Sequence, residues 1–204
     1  MIPTCQTSPR VNAQLSPSEV PAPDPPPSAD LSPPKVLDQI LKRYPVMWQG
    51  LLCLKNGQAA VQMHFVSGNM GLATASLPPK VGNETTPVRV AQRMRLDQQQ
   101  LEGVDKKLQA ADGHCVLLAL PCGKAQPDVL NQSKNLSTGF IQYLLRKKSA
   151  GIVNVANPGS RQPAYVIHFF PACDFTNERL HTVAPDLHEI IADISHLVIV
   201  IATV

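Results

Sequence analysis

Hydrophobic and polar residues follow two kinds of spacing along the chain after residue 34. Period-two alternation, or a short apolar run between turn residues, predicts a strand, whereas recurrence at three and four residues predicts a helix. Lys55-Asn56-Gly57 separates two strand-like runs, and Asn-Gly is the strongest short signal for a β-hairpin. The spacing predicts strands at 47–54, 59–67, 87–96, 115–120, 151–155, 164–170 and 196–203.

Helical spacing occurs between these strands. The longest helix runs from Val129 to Lys148, where three cations occupy the last turn and Gly151 follows as a predicted stop. Further helices are predicted at 36–44, 101–108, 176–183 and 186–194, and 68–87 is predicted to be irregular. Strands and helices mix without regular β–α–β alternation. The fold class is therefore α+β, with a mostly antiparallel sheet, open or closed, and helices packed outside it.

The segment 87–96, PVRVAQRMRL, has two different faces if it is one strand. Val88, Val90, Met94 and Leu96 would lie on one side with Gln92, because side chains alternate along a strand. Arg89, Arg93 and Arg95 would lie on the other side with Ala91, and Arg93 and Arg95 would be roughly 7 Å apart. Such a row is either a solvated strand face or a docking strip for an acidic or phosphorylated partner, which arginine binds through its planar fork.

The first 34 residues differ in composition from the rest. They hold ten of the twenty prolines and few large apolar residues, so they cannot bury enough surface to offset their ordering entropy. We predict a disordered tail or linker over residues 1–34 and a single domain over 35–204. The tail has a net charge of −2 and the domain +5, which is too weak for a general nucleic-acid binder.

The cysteines and the apolar runs indicate the compartment. Five cysteines without C-x-x-C spacing favour buried free thiols in a reducing compartment over a zinc or disulfide framework. The chain shows no signal-peptide pattern, and its longest strongly apolar run, 197–204, is far short of a membrane span. We expect a soluble intracellular protein without a membrane segment, a metal or a cofactor.

Catalytic motifs are missing from the sequence. It has no G-x-S-x-G, P-loop, H-E-x-x-H or dinucleotide glycine pattern, so we expect no enzymatic activity. His181 and His188 are seven residues apart and could share a helix face, but two histidines without a third ligand favour a structural role. Cys122 has no identifiable base to activate it. A hydrolase would need a deep pocket with a paired nucleophile and base.

Tyr143 and Lys147 are spaced to share one face of the long helix. A phenol hydroxyl and an ammonium side by side could bind a phosphate or a terminal carboxylate. Equally, Tyr143 could be a core residue and Lys147 a solvated one. Nucleic acid is the alternative ligand for the arginines, yet none of the nine aromatic residues lies between Pro87 and Leu108 to stack on bases.

Several segments together resemble one known family, the SPOC domain of the split ends type. They are, in chain order, YPVMWQGLLCLKN, MHFVSGN, VRVAQRMRL, LEGV, LLALPCG, AGIVNVANPGSRQPAYV and APDL, and the resemblance covers about residues 37–204. The chain departs from the family in the linker 73–86, which differs in length and lacks the basic residue expected near Thr74. It also lacks the RNA-recognition modules of full-length relatives, which suggests either a fragment or a short form.

The resemblance implies a distorted seven-stranded β-barrel framed by α-helices, in a monomeric nuclear co-repressor module. Members of the family bind acidic, serine-phosphorylated motifs, notably at the C-termini of the SMRT and NCoR co-repressors. We expect no direct nucleic-acid partner for this chain. The basic patch used in the family corresponds here to Lys55, Arg89, Arg93, Arg95, Tyr143 and Lys147, and all six positions carry the expected residue type.

Overall fold

The computed structural model describes residues 33–81, 84–156 and 162–204, and all but the last two residues of the predicted tail lie outside these ranges. Within them the α-helices are α1 (Pro33–Leu41), α2 (Met70–Ser76), α3 (Gln98–Leu108), α4 (Gln126–Leu136), α5 (Gln142–Arg146), α6 (Asp174–Val183) and α7 (Pro185–Ile191). The strands are β1 (Val46–Leu54), β2 (Gly57–Gly68), β3 (Lys80–Val81), β4 (Glu84–Thr85), β5 (Val88–Val90), β6 (Gln92–Arg95), β7 (His114–Pro121), β8 (Ser149–Ala156), β9 (Pro163–Pro171) and β10 (Leu197–Thr203).

Eight of these strands form one sheet in the order β5-β1-β2-β7-β10-β9-β8-β6. Neighbours are antiparallel except for β5, which runs parallel to β1. The two edge strands are separated in sequence only by Ala91, so one short segment joins both edges and closes the sheet into a distorted barrel. The predicted α+β class with a mostly antiparallel barrel and packed helices is confirmed. The sheet has eight strands rather than seven because the predicted strand 87–96 is divided in two.

The division at Ala91 corrects the prediction that the apolar residues of this segment share one face. Val88 and Val90 pack into the core on one side of the sheet, whereas Met94 and Leu96 pack against the core on the other side. The reason is topological, since the segment leaves one edge of the sheet and joins the opposite edge. Local alternation is preserved within each short strand but not across the break.

The two cores lie on opposite faces of the sheet, and the central strands contribute side chains to both cores. On β7, Leu117 enters the first core while Val116 and Leu118 enter the second, and β10 alternates in the same way. This confirms that the apolar run at 115–120 is buried on both faces. The long helix packs on the first core through Phe140 and Leu144, whereas α1, α3, α6 and α7 cover the second.

The long helix differs from its prediction at both ends and in the middle. It begins at Gln126, contains a π-helical turn (Ser137–Ile141), and ends at Arg146. Gly151 is not its stop, because this glycine lies inside β8. Lys148 instead takes the left-handed conformation beyond the helix end, with a φ of 44°.

The connection predicted to be irregular contains a short helix. Asn69 caps α2 by accepting a hydrogen bond from the backbone N–H of Gly71, and Leu72, Ala73 and Ser76 are buried beneath it. A helix of seven residues is too short for spacing alone to distinguish it from a loop.

Candidate functional site

The β1–β2 hairpin places Lys55 at an exposed position. Leu54 pairs with Gly57, so the turn consists of Lys55 and Asn56 only. The hairpin predicted from Asn-Gly is present, but the left-handed residue is Lys55, with a φ of 52°. This conformation costs a residue with a Cβ about 1–2 kcal/mol, so the fold holds the lysine in a conformation that glycine would adopt more easily.

Tyr143 reaches the same surface from the last turn of the long helix. Its ring is half-buried and packs against the first core. Lys147 follows one turn later, and its backbone N–H donates to the Tyr143 carbonyl at 3.1 Å. The ring therefore belongs partly to the core, as one alternative expected, whereas anion binding by its hydroxyl stays a prediction.

Two cations lie over the Tyr143 ring. The Lys55 Nζ is 4.6 Å from the ring centroid and the Arg93 Cζ is 5.4 Å from it. Both distances fall within the range of a cation–π interaction. Lys55 comes from the hairpin, Arg93 from β6 and Tyr143 from α5, so three separate elements meet at one ring. Together with Lys147, we call these residues the tyrosine cluster.

The electrostatics of the tyrosine cluster favour negative charge. A hydrogen bond from Lys55 lowers the pKa of the Tyr143 hydroxyl, and the charges of Arg93, Lys55 and Lys147 lower it further, while partial burial opposes the shift. A pKa is lowered when the surroundings stabilise the anionic form. The same surroundings would stabilise any other anionic oxygen placed near the Tyr143 hydroxyl.

The three arginines do not form the single row that the sequence predicted. Arg93 pairs with Gly151 and Arg95 with Ser149, so both project from the same face of β6, roughly 7 Å apart. Arg89 lies on β5, beside Cys53 of β1, at the opposite edge of the sheet order. The break at Ala91 separates it from the other two, and among the cations of the described residues only Lys55 and Arg93 lie over the Tyr143 ring.

The cations of this surface have no acidic partner in the part of the chain that the structure describes. Ion pairs there join Arg43 to Asp186 and Arg179 to Asp105, both away from the tyrosine cluster. Lys55, Arg93, Arg95 and Lys147 are all exposed. Like charges held together without a counterion repel one another, and a bound anion would relieve that repulsion.

Other candidate chemistry is weaker. The described residues contain no group of three or more potential ligands that could hold a metal ion. His181 and His188 lie on α6 and α7 rather than on one helix, with their rings 5.7 Å apart and edge-on. Burial raises the pKa of the Cys122 thiol, partly offset by a hydrogen bond from Gln49, so the reactive thiolate is disfavoured.

None of the described helices is long and apolar enough to cross a membrane.

Fold and surface together define the class of protein: a small α+β barrel domain with exposed cations around one tyrosine. The chain belongs to the SPOC domain family, whose family model matches residues 38–204. This confirms the resemblance drawn from the sequence motifs. The family model begins within α1, at the start of the described part of the chain.

Two much longer proteins and one solved structure are similar to this chain. The protein named split ends of Drosophila melanogaster is 60% identical over 179 residues, which are 88% of this chain and 3% of that protein. The Msx2-interacting protein of Homo sapiens is 53% identical over 187 residues, 88% of this chain and 5% of that protein. The crystal structure of the SPOC domain of human PHD-finger protein 3 has a TM-score of 0.49 and 16% identity, covering 78% of this chain and 98% of that one. The chain therefore spans no more than 5% of the length of either long relative.

Proposed function

We propose that this domain is a non-enzymatic protein-interaction module that binds acidic, serine-phosphorylated peptides as a monomer. The observation that carries the proposal is the convergence of Lys55 and Arg93 on Tyr143, with no carboxylate among the described residues paired to either of them. A phosphoserine carries a charge of about −1.5 to −2 and three acceptor oxygens, so it can accept from several cations at once. A single carboxylate could satisfy fewer of them.

The binding residues we propose are Lys55, Arg89, Arg93, Arg95, Tyr143 and Lys147. Arg93 and the lysines would hold the phosphate, because they surround the site where an anionic oxygen is favoured. Arg95, roughly 7 Å from Arg93 along β6, would donate hydrogen bonds to a neighbouring acidic side chain of an extended peptide. Arg89, on β5 beyond the break at Ala91, would contribute to the field that attracts the peptide more than to direct contact.

Family membership supports our proposals for the partners and the location. We propose the phosphorylated acidic C-termini of SMRT- and NCoR-type co-repressors as ligands, and transcriptional repression in the nucleus as the role. One relative is named for its interaction with another protein, which supports a role in protein interaction for the family.

Nucleic acid is the competing ligand for the same cations. Single-strand binders stack bases on exposed aromatic rings, but Lys55 and Arg93 already lie over the Tyr143 ring. The test is fluorescence anisotropy with a labelled acidic phosphopeptide and a labelled single-stranded RNA of equal net charge. We expect saturable peptide binding at physiological salt and weaker RNA binding. Tighter binding of RNA, with a steep salt dependence, would favour the nucleic-acid function instead.

Replacing Tyr143 with phenylalanine separates the two roles of this residue. We expect Tyr143→Phe to weaken phosphopeptide binding by about 10- to 100-fold, the size of losing a hydrogen bond to a charged group. The melting temperature should change little, because the ring keeps its place against the first core. A lower melting temperature with unchanged affinity would show that the hydroxyl serves the fold and not the ligand.

A further inference from the structure

Two glycines from distant parts of the chain meet beside the tyrosine cluster. Gly57 begins β2 directly after the Lys55 turn, and Gly139 lies in the π-helical turn that precedes Tyr143. A Cβ placed on Gly57 would lie 3.2 Å from the Cα and 3.3 Å from the carbonyl oxygen of Gly139. Both are backbone atoms that cannot rotate away. At Gly57 the hairpin and the helix therefore approach too closely for a side chain to fit without a shift.

A second contact joins the same two elements further along. The side-chain Oε1 of Gln132 on α4 accepts a hydrogen bond from the backbone N–H of Ala60 on β2 at 2.8 Å. From Gln132 to Gly139 is about 10 Å along a helix, and from Gly57 to Ala60 is also about 10 Å along a strand. The two spans match, so both contacts can be satisfied together. The long helix thus lies along the edge of β2 where pairing with β7, which begins at Val61, is absent.

We propose that the contact between Gly57 and Gly139 positions Lys55 against Tyr143, so that Gly57 is a positioning residue for the tyrosine cluster. The inference rests on the proposed function only for its consequence on peptide binding. Its consequence for the geometry of Lys55 and Tyr143 can be measured without any ligand.

The short turn couples the position of Lys55 to that of Gly57. Lys55 is two residues from Gly57 in a turn of two residues, and its left-handed backbone leaves little freedom to compensate for a shift. On the other side, Gly139 is one helical turn from Tyr143 in a continuous helix. A Cβ on Gly57 requires the hairpin and the helix to move apart by a few tenths of an ångström. We expect this shift to carry the Lys55 ammonium away from the Tyr143 hydroxyl.

The chain offers matched glycine-to-alanine controls. The backbone of Gly57 is not left-handed, so alanine there meets only the steric contact. A Cβ on Gly139 would lie 3.5 Å from the Gly57 Cα, an ordinary contact, and a Cβ on Gly103 of α3 would meet nothing within 4 Å. Gly57→Ala and the larger Gly57→Val are therefore compared with Gly139→Ala and Gly103→Ala.

The measurement is the pKa of Tyr143, followed by NMR in protein labelled with ¹³C-tyrosine. We expect this pKa to rise toward the ordinary value of 10.0 in Gly57→Ala, further in Gly57→Val, and to stay unchanged in both controls. A pKa that is the same in all four variants would overturn the positioning role. A general loss of folding would instead shift the resonances of all tyrosines together.

Phosphopeptide affinity, measured on the same variants, keeps the two proposals distinguishable. We expect Gly57→Val to bind about tenfold more weakly, the size of losing one charge-assisted hydrogen bond, while Gly139→Ala binds as the unmodified chain does. A raised pKa with unchanged affinity would uphold the positioning contact and contradict the binding role of Lys55.

Discussion

Replacing Arg93 and Arg95 together with alanine is expected to lower the affinity for an acidic phosphopeptide by about 100- to 1,000-fold, or about 3–4 kcal/mol. Exposed ion pairs between side chains contribute only about 0–1 kcal/mol each. A phosphate held by an arginine fork is a stronger partner because its charge is nearly double and its hydrogen bonds are paired. Both arginines are exposed, so their removal leaves no cavity in either core.

The melting temperature of this double variant should equal or slightly exceed that of the unmodified chain, because two repelling charges are removed. Lys42→Ala combined with Lys106→Ala is the matched control, since both lysines are exposed and the net charge changes by the same amount. If the control loses as much affinity as the arginine variant, the effect comes from overall charge. Unchanged binding by the arginine variant would remove β6 from the proposed site.

A second large effect is expected at Gly151, where the closing segment crosses β8. A Cβ on Gly151 would lie 2.6 Å from the Val90 Cγ1 and 3.3 Å from the Phe169 Cβ. Val90 is β-branched and cannot easily rotate its methyl group away. We therefore expect Gly151→Ala to destabilise the fold by about 1–3 kcal/mol, the usual cost of overpacking a core. Each kcal/mol should lower the melting temperature by about 2–4 °C in a domain of this size.

A double-mutant cycle tests the cause of that loss. Val90→Ala alone removes buried apolar contacts and should also destabilise, but in combination with Gly151→Ala it provides the space that the new Cβ needs. The two effects should therefore be less than additive. Strict additivity would show that a Cβ on Gly151 does not destabilise the fold through its contact with Val90.

The sequence predicted most of the elements because hydrophobic spacing is a local property. The seven strand positions, the hairpin at Lys55-Asn56-Gly57 and the two-sided burial of 115–120 all follow from neighbouring residues. The break at Ala91 does not, because no residue near it differs in character from a continuous strand. It arises from the closure of the sheet, where the two halves of one segment pair with β1 and β8.

The candidate site was predictable in composition but not in geometry. Arginine alternation on 87–96 and the spacing of Tyr143 and Lys147 predicted the residues of the surface proposed above. The meeting of Lys55 and Arg93 on the Tyr143 ring depends on three elements that the sequence keeps far apart. The sequence does not mark Lys55 and Lys148 as left-handed, because glycine normally adopts that conformation. The contact of Gly57 with Gly139 is not predictable either, because residue spacing carries no information about it.

The central claim is that the cations around Tyr143 bind a phosphorylated serine in an acidic peptide. Isothermal titration calorimetry with one acidic peptide, prepared with and without a phosphate on its serine, tests this claim most directly. The phosphorylated peptide should bind at least about tenfold more tightly, since one or more charge-assisted hydrogen bonds are added. Its affinity should fall as salt rises, because exposed charges are screened within about 8 Å at physiological ionic strength. Equal affinity for the two peptides would contradict the claim.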